Sequence, residues 1–110
     1  MIRLATWVWV QAYVRRLEQQ GIAAFVVAHG DDTAGSVMIK VNTLDGRACA
    51  YQRGFETPEG RRGWALLHGG AEAAVDAALA RQRGFDPDLW VVEVEDRRGR
   101  HLLEAGGFDL

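Results

Sequence analysis

Residues 85–96, FDPDLWVVEVED, show the clearest pattern of apolar and polar positions in the chain. Asp86 and Pro87 predict a turn, because proline fixes its own φ and disfavours helical backbone in the residue before it. The residues after the turn alternate as in a β-strand, whose side chains point to the two faces of a sheet in turn. One face is apolar throughout, and the other begins apolar and becomes acidic at Glu93 and Glu95. We therefore expect a strand covered on both faces at its start, either central in its sheet or in an interface.

A first helix is predicted over residues 5–20, and Gly21 after it provides a stop signal. At 100° per residue, one wide arc of this helix collects its large apolar side chains, which are Trp7, Trp9, Val10, Tyr13, Val14 and Leu17. Two interpretations of the arc stay open. It is either a broad core face, the more common case, or a core face whose Trp9 edge contacts a second subunit.

Three strands are predicted in the middle of the chain, over residues 23–29, 36–44 and 47–53. Asp45-Gly46, between the last two, is a strong hairpin signal because the tight turn needs two residues at φ > 0. Residues 54–63, GFETPEGRRG, contain three glycines and a proline and predict a loop. A fourth strand is expected over residues 64–68, where Gly69-Gly70 breaks it.

A second helix is predicted over residues 71–83, and Gly84 is suited to end it. Its buried face would consist of small and medium apolar side chains, namely Ala74, Val75, Ala78 and Leu79. The strand with Trp90 follows, and residues 101–104 fit a short C-terminal edge strand.

The order of elements, α-β-β-β-β-α-β, predicts a single α+β domain over residues 1–110. We expect a two-layer sandwich, in which both helices pack on one face of a mainly antiparallel sheet of about five strands. The opposite face would then be only partly covered, with Met38, Leu89 and Val91 on it. A second copy related by a two-fold axis would cover that face, so we expect a homodimer.

Composition narrows the possible partners. With 48% hydrophobic and 25% charged residues, the 110-residue chain resembles an ordinary folded domain. Its formal net charge of -2 gives no overall attraction to nucleic acid or to an anionic membrane, and neither is expected as a partner. A single cysteine leaves no intramolecular disulfide. The apolar stretch near the N-terminus is too short for a transmembrane helix and lacks a signal-peptide cleavage pattern, so a cytoplasmic location is expected.

Two stretches carry a family resemblance. Residues 39–46 read IKVNTLDG, and residues 85–104 read FDPDLWVVEVEDRRGRHLLE. Together with the tryptophan-containing first helix, they resemble family 1491 of the domains of unknown function, a group of short, mostly alphaproteobacterial proteins. The first stretch departs from the family pattern at Ile39, where valine is expected. The resemblance implies a small bacterial cytosolic protein of undetermined activity, and it transfers no catalytic residue.

Side chains that could carry chemistry have simpler structural explanations. Neither Ser36 nor Cys49 lies in the sequence context of an activated nucleophile. The three histidines, His29, His68 and His101, lack the spacing of metal ligands. Turn formation and solvated strand faces account for three acidic pairs: Asp31 with Asp32, Asp86 with Asp88, and Glu93 with Glu95. We expect no catalytic residue, no metal and no cofactor.

Two hypotheses of function remain. The leading one is a non-enzymatic, homodimeric interaction or accessory domain, with a further, unidentified protein partner left open. The alternative is a small anionic-ligand binder or minor enzyme that uses the arginine-bearing loop 53–63 and one face of the sheet. Its candidate ligand-binding residues are Lys40, Asn42, Arg53, Arg61 and Arg62.

Overall fold

The computed structural model describes residues 4–56 and 62–103. Two helices and five strands follow one another in the predicted order, which confirms the α+β class. Their bounds are α1 Thr6–Gln19, β1 Ala23–Ala28, β2 Val37–Asn42, β3 Arg47–Glu56, β4 Arg62–Ala71, α2 Glu72–Phe85 and β5 Trp90–Glu95. Neither of these helices is long and apolar enough to cross a membrane.

The five strands form one sheet in the order β1-β5-β2-β3-β4. Strand β5 is antiparallel to β1 and parallel to β2, and the remaining neighbours are antiparallel, so the sheet is mixed but mainly antiparallel. The last strand thus returns through α2 to lie between β1 and β2. Its residues from Trp90 to Val94 are all buried, as expected for a strand covered on both faces. The strand therefore lies in the interior of the sheet, between β1 and β2.

The two helices lie on opposite faces of the sheet, not on one face as expected. Trp90, Val92 and Val94 of β5 pack in one core cluster with α1. The alternate residue Val91 and the preceding Leu89 pack in a second cluster with α2. Side chains of a strand alternate between faces, so the two clusters lie on opposite sides of the sheet. The expected two-layer sandwich is corrected to three layers, with α1 on one side and α2 on the other.

Helix α2 covers the face that was expected to need a second subunit. Met38, Leu89 and Val91 lie on this face, as predicted, and they pack with Val75 and Leu79 of α2. The connection from β4 to β5 has to cross the sheet, and α2 crosses on the face that α1 leaves open. The chain therefore covers this face itself, and no second subunit is needed there.

The buried arc of α1 is narrower than predicted. Trp9, Val10, Tyr13 and Leu17 are buried, so the interpretation of Trp9 as core is confirmed. Trp7, at the other side of the arc, is exposed. In α2, Val75, Ala78 and Leu79 are buried as predicted, whereas Ala74 is exposed. In both helices the sheet reaches fewer side chains than periodicity alone indicates.

The β2–β3 hairpin is confirmed, but its turn differs from the predicted one. Positive φ values occur at Leu44 (62°) and Gly46 (86°), not at Asp45. The side chain of Asn42 accepts a hydrogen bond from the backbone N–H of Leu44 at 2.8 Å. Asp45 accepts hydrogen bonds from the Thr43 hydroxyl and the Arg47 N–H. These side-chain bonds to nearby backbone stabilise a longer loop than the two-residue turn that Asp-Gly favours.

Several predicted ends of elements are wrong. Strand β4 continues through Gly69-Gly70, because Cys49 and Ala48 of β3 pair with these glycines. Helix α2 passes Gly84 and ends at Phe85. No strand forms over residues 101–103, the described part of the predicted C-terminal strand. The predicted loop 54–63 is shortened at both ends by β3 and β4, and residues 57–61 lie outside the described part of the chain.

Candidate functional site

Lys40 and Asn42, two of the predicted ligand-binding residues, lie together on β2 and face α2. Both are buried, and Lys40 is only 4% exposed. The Lys40 ammonium lies 2.7 Å from Glu72 Oε2 and 2.7 Å from Asp76 Oδ1, both on α2. It also lies 3.2 Å from Glu93 Oε1 on β5. We call these five residues, Lys40, Asn42, Glu72, Asp76 and Glu93, the Lys40 cluster.

The side-chain amide of Asn42 completes the Lys40 cluster. Its Nδ2 donates to Glu72 Oε2 at 3.1 Å and to Glu93 Oε2 at 3.2 Å. Desolvation by burial disfavours a charged Lys40, but its hydrogen bonds to Asp76, Glu72 and Glu93 outweigh that cost and raise its pKa. The lysine is therefore charged at neutral pH. Glu72 lies in the first turn of α2, where a carboxylate also interacts favourably with the helix dipole.

The Lys40 cluster holds α2 against the sheet and does not resemble an anion site. One ammonium group faces three carboxylates, so the local charge is negative. A phosphate or carboxylate ligand would be repelled from such an arrangement. The buried positive charge of Lys40 is instead used to neutralise carboxylates of the chain itself.

Arg53 lies on the opposite face of the sheet from Lys40. Its guanidinium lies 5.5 Å from the ring centroid of Trp64. Trp64 in turn stacks on Trp9 of α1, with ring centroids 5.7 Å apart. Arg62 begins β4 opposite Glu56, and Arg61 lies outside the described residues. The structure thus brings Lys40 and Asn42 together and separates them from Arg53, while the anionic-ligand hypothesis as a whole stays a prediction.

Two of the acidic pairs, Asp31 with Asp32 and Asp86 with Asp88, lie in or beside turns. The carboxylate of Asp31 accepts backbone hydrogen bonds from Thr33 and Ala34, and that of Asp86 accepts one from Asp88. His29 lies 2.7 Å from Asp32. Over the two described stretches of chain, no group of three or more His, Cys, Asp or Glu side chains is arranged to hold a metal ion.

Trp90 is the anchor of the loop that joins β1 to β2. Its indole Nε1 donates to the carbonyl of Asp31 at 2.7 Å. The ring centroids of Trp90 and His29 are 3.9 Å apart. Gly30 is required here, because a Cβ atom at this position would lie 2.6 Å from Trp90 Cδ1. Arg83 fixes the approach to β5 by donating to the carbonyls of Pro87 and Leu89.

The strongest candidate for a binding surface is β1, which sequence reasoning did not single out. This strand lies at one edge of the sheet and pairs only with β5 among the strands described. Three consecutive apolar side chains of β1 are exposed: Phe25 by 44%, Val26 by 41% and Val27 by 56%. The run AAFVVA looks like a buried strand, and its exposure follows only from its place at the sheet edge.

An apolar groove runs beside β1, between this strand and α1. One part has a volume of ≈ 390 Å³ and is lined by Trp7, Val10, Gln11, Val26, His29, Asp32 and Trp90. A second part of ≈ 380 Å³ shares three of these residues and continues toward Val14, Arg15 and Glu18. We call β1 together with this groove the β1 surface. Exposed Trp7 and Phe25 give it the aromatic character that is enriched in protein interfaces.

The opposite edge of the sheet, β4, is protected against pairing. It begins with Arg62, contains three glycines and carries His68. Its pairing with β3 shifts register twice, and such irregularities twist an edge away from regular pairing. Strand β1 contains no charged residue, no proline and no glycine. Its pairing with β5 shifts register once, between Val26 and Ala28, so the regular part of β1 from Ala23 to Val26 is the less protected of the two edges.

The chain is similar to one protein family over nearly its whole length and to solved structures of that family. The sequence pattern of the DUF1491 family, described as proteins of unknown function, matches residues 4–104. A crystal structure of a DUF1491 family protein from Caulobacter crescentus CB15 is 40% identical, with a TM-score of 0.83, over 92% of this chain and 95% of that chain. An NMR structure of a DUF1491 family protein from the same organism is 39% identical, with a TM-score of 0.78, over 94% of each chain.

A third solved structure, protein Atu0922 from A. tumefaciens, is 30% identical, with a TM-score of 0.70, over 86% of each chain. No curated protein matches the chain. The match to the family pattern extends over nearly the whole chain, from before α1 to beyond β5. The chain therefore belongs to the DUF1491 family of proteins of unknown function.

Proposed function

We propose that the protein is a non-enzymatic interaction domain of the cytoplasm, and that it acts as a homodimer formed through the β1 surface. The observation that carries this proposal is the row of three exposed apolar side chains, Phe25, Val26 and Val27, on an edge strand. An exposed apolar edge strand offers both unpaired backbone groups and apolar side chains to another chain. Proteins usually protect such an edge against pairing with other chains, unless that pairing is part of their function.

A second copy is the partner that the β1 surface fits best. The groove beside β1 is lined by Arg15 and by the carboxylates of Glu18 and Asp32. A second copy presents both signs of charge to both signs, so the arginine of one copy can lie near a carboxylate of the other. The apolar strand likewise presents nothing that disfavours contact with itself. Closed two-fold dimers are the commonest form of homo-oligomer and use the same patch on both subunits.

A lysine at Val26 is the variant that tests this proposal. We expect the natural protein to sediment as a dimer at micromolar concentration. Val26→Lys should raise the dissociation constant at least tenfold, about 1.4 kcal/mol, because the interface would have to bury an unpaired charge. Sedimentation velocity over a concentration series measures both values.

The matched control is Leu66→Lys on the opposite edge strand, where Leu66 is also exposed. This variant should dimerise like the natural protein. A natural protein that remains monomeric throughout the micromolar range would contradict the proposal, as would equal effects of the two lysine variants. Circular dichroism on both variants ensures that neither result comes from unfolding.

A further inference from the structure

We infer that two copies join by antiparallel pairing of β1 with β1, about a two-fold axis that passes through the Phe25 pair. The two five-stranded sheets would then form one continuous sheet of ten strands. This inference rests on the proposed homodimer and specifies its geometry. It assigns a pairing partner to the residues from Ala24 to Val26, which the proposal of a dimer alone does not do.

Pairing through the strand backbone follows from the position of β1. Its pairing with β5 uses one side of the β1 backbone. The N–H and C=O groups on its other side point away from the sheet and can bond to an added strand. An added strand would also cover part of the exposed Phe25, Val26 and Val27 side chains. Backbone and side chains thus favour the same mode of association.

Symmetry makes this pairing antiparallel and limits its register. A two-fold axis perpendicular to the sheet reverses the strand direction but leaves each face on its own side. Each side chain must therefore pair with one on the same face, since side chains alternate along a strand. Only registers centred on a single residue satisfy this condition. Both α1 helices then lie on one face of the joined sheet, and both α2 helices lie on the other.

Phe25 is the residue that best fits the centre. The regular part of β1 runs from Ala23 to Val26, because its pairing with β5 becomes irregular between Val26 and Ala28. Phe25 is the bulkiest exposed side chain in this part, and its register partner Glu93 places it on the face of the Lys40 cluster. A centre at Phe25 packs two aromatic rings against each other, an arrangement that stabilises sheets. The same register places Val26 opposite Ala24 of the second copy.

The face that carries α1 accommodates this register. Val26 and Ala24 are both on this face, where Val26 lines the groove against α1. In the dimer, the side of α1 that lines the groove in one copy approaches the same side of α1 in the other copy across the axis. This side of α1 carries the apolar Val14 and the oppositely charged Arg15 and Glu18. The contact therefore combines apolar side chains with a balanced charge.

Cysteine cross-linking between two different variants tests the register. In a Cys49→Ala background, which removes the natural thiol, one variant carries Ala24→Cys and the other carries Val26→Cys. Cα atoms that face each other in antiparallel strands are about 4.5–5.5 Å apart, within the range that a disulfide spans. We expect a disulfide-linked dimer in an oxidised mixture of the two variants, and little of it in either variant alone. Leu66→Cys, on the other edge, serves as the control for collisions.

The outcomes separate this inference from the proposed function. Sedimentation of each reduced variant first establishes that it still dimerises. A dimer that gives no more linked product in the mixture than the Leu66→Cys control would overturn the β1 pairing while the homodimer stands. Efficient linkage of Val26→Cys with itself would overturn the Phe25 centre. A natural protein that is monomeric would instead overturn the proposed function.

Discussion

Replacing Trp90 by alanine is expected to lower the free energy of unfolding by roughly 3–5 kcal/mol, the range for a large aromatic side chain lost from a core. Trp90 is 3% exposed and begins β5, an interior strand of the sheet. Its indole is packed among residues of the α1 core cluster and donates to the carbonyl of Asp31. The variant leaves a cavity and removes one of two hydrogen bonds to the Asp31 carbonyl, which also accepts from the Gly35 N–H at 3.2 Å. Chemical denaturation followed by circular dichroism measures the difference.

Two further variants separate the contributions to that effect. Trp90→Phe keeps an aromatic ring and loses the hydrogen bond to Asp31, which contributes about 0.5–1.5 kcal/mol, so this variant should lose less stability than Trp90→Ala. Trp7→Ala makes the same truncation at an exposed tryptophan of α1 and should cost well under half as much as Trp90→Ala. Equal losses for Trp90→Ala and Trp7→Ala would contradict the placement of Trp90 in the core.

Lys40→Met is expected to destabilise the protein by roughly 3 kcal/mol, the lower end of the range for removing one partner of a buried ion pair. The lower end applies because Glu72 and Asp76 are partly exposed and can be hydrated. Glu93, by contrast, is largely buried and would keep an uncompensated charge. Denaturant unfolding of the variant and the natural protein at neutral pH gives the difference.

The pH dependence of stability gives an independent check on the charge of Lys40. The pKa of Lys40 is raised in the folded protein above its ordinary value of 10.5. The stability that its charge contributes is therefore fully present below pH 10.5 and is lost as the pH rises further. The difference between Lys40→Met and the natural protein should stay constant from pH 7 to about pH 9 and narrow above pH 10.5.

Glu93→Gln in the Lys40→Met background serves as the control. This second change neutralises the buried carboxylate and should restore about 1 kcal/mol or more of the loss. If Lys40→Met is as stable as the natural protein, the Lys40 cluster does not hold α2 to the sheet. In that case the pairing of Lys40 with residues of its own chain would not explain its burial.

The sequence was sufficient to predict the burial of β5 but not what covers it. Alternation from Leu89 onward showed that both faces of this strand are apolar at the start. Periodicity carries no information on which helix lies over which face. The expected second subunit on the Met38 face proved to be α2, because the crossover from β4 returns on that side. The topology that decides this is a long-range property of the chain.

The candidate surface was harder to predict than the fold. Lys40 and Asn42 occupy alternate positions on β2, so their common face was readable from the sequence. Their partners Glu72 and Asp76 lie 30 or more positions away on α2, and no local pattern connects them. Strand β1 has the composition of an interior strand, and only the sheet order reveals that it is an edge. The lack of charge over residues 22–28 is typical of an interior strand and therefore did not indicate an exposed edge.

The chain covers both faces of its own sheet, so we propose that self-association uses β1. Amide hydrogen exchange at low and high protein concentration tests this claim most directly. We expect those amides of Phe25–Val27 that point away from β5 to exchange more slowly at high concentration, while amides of β4 stay unchanged. Exchange in β1 that is independent of concentration in a sample shown to dimerise, or new protection in β4 instead, would contradict the account.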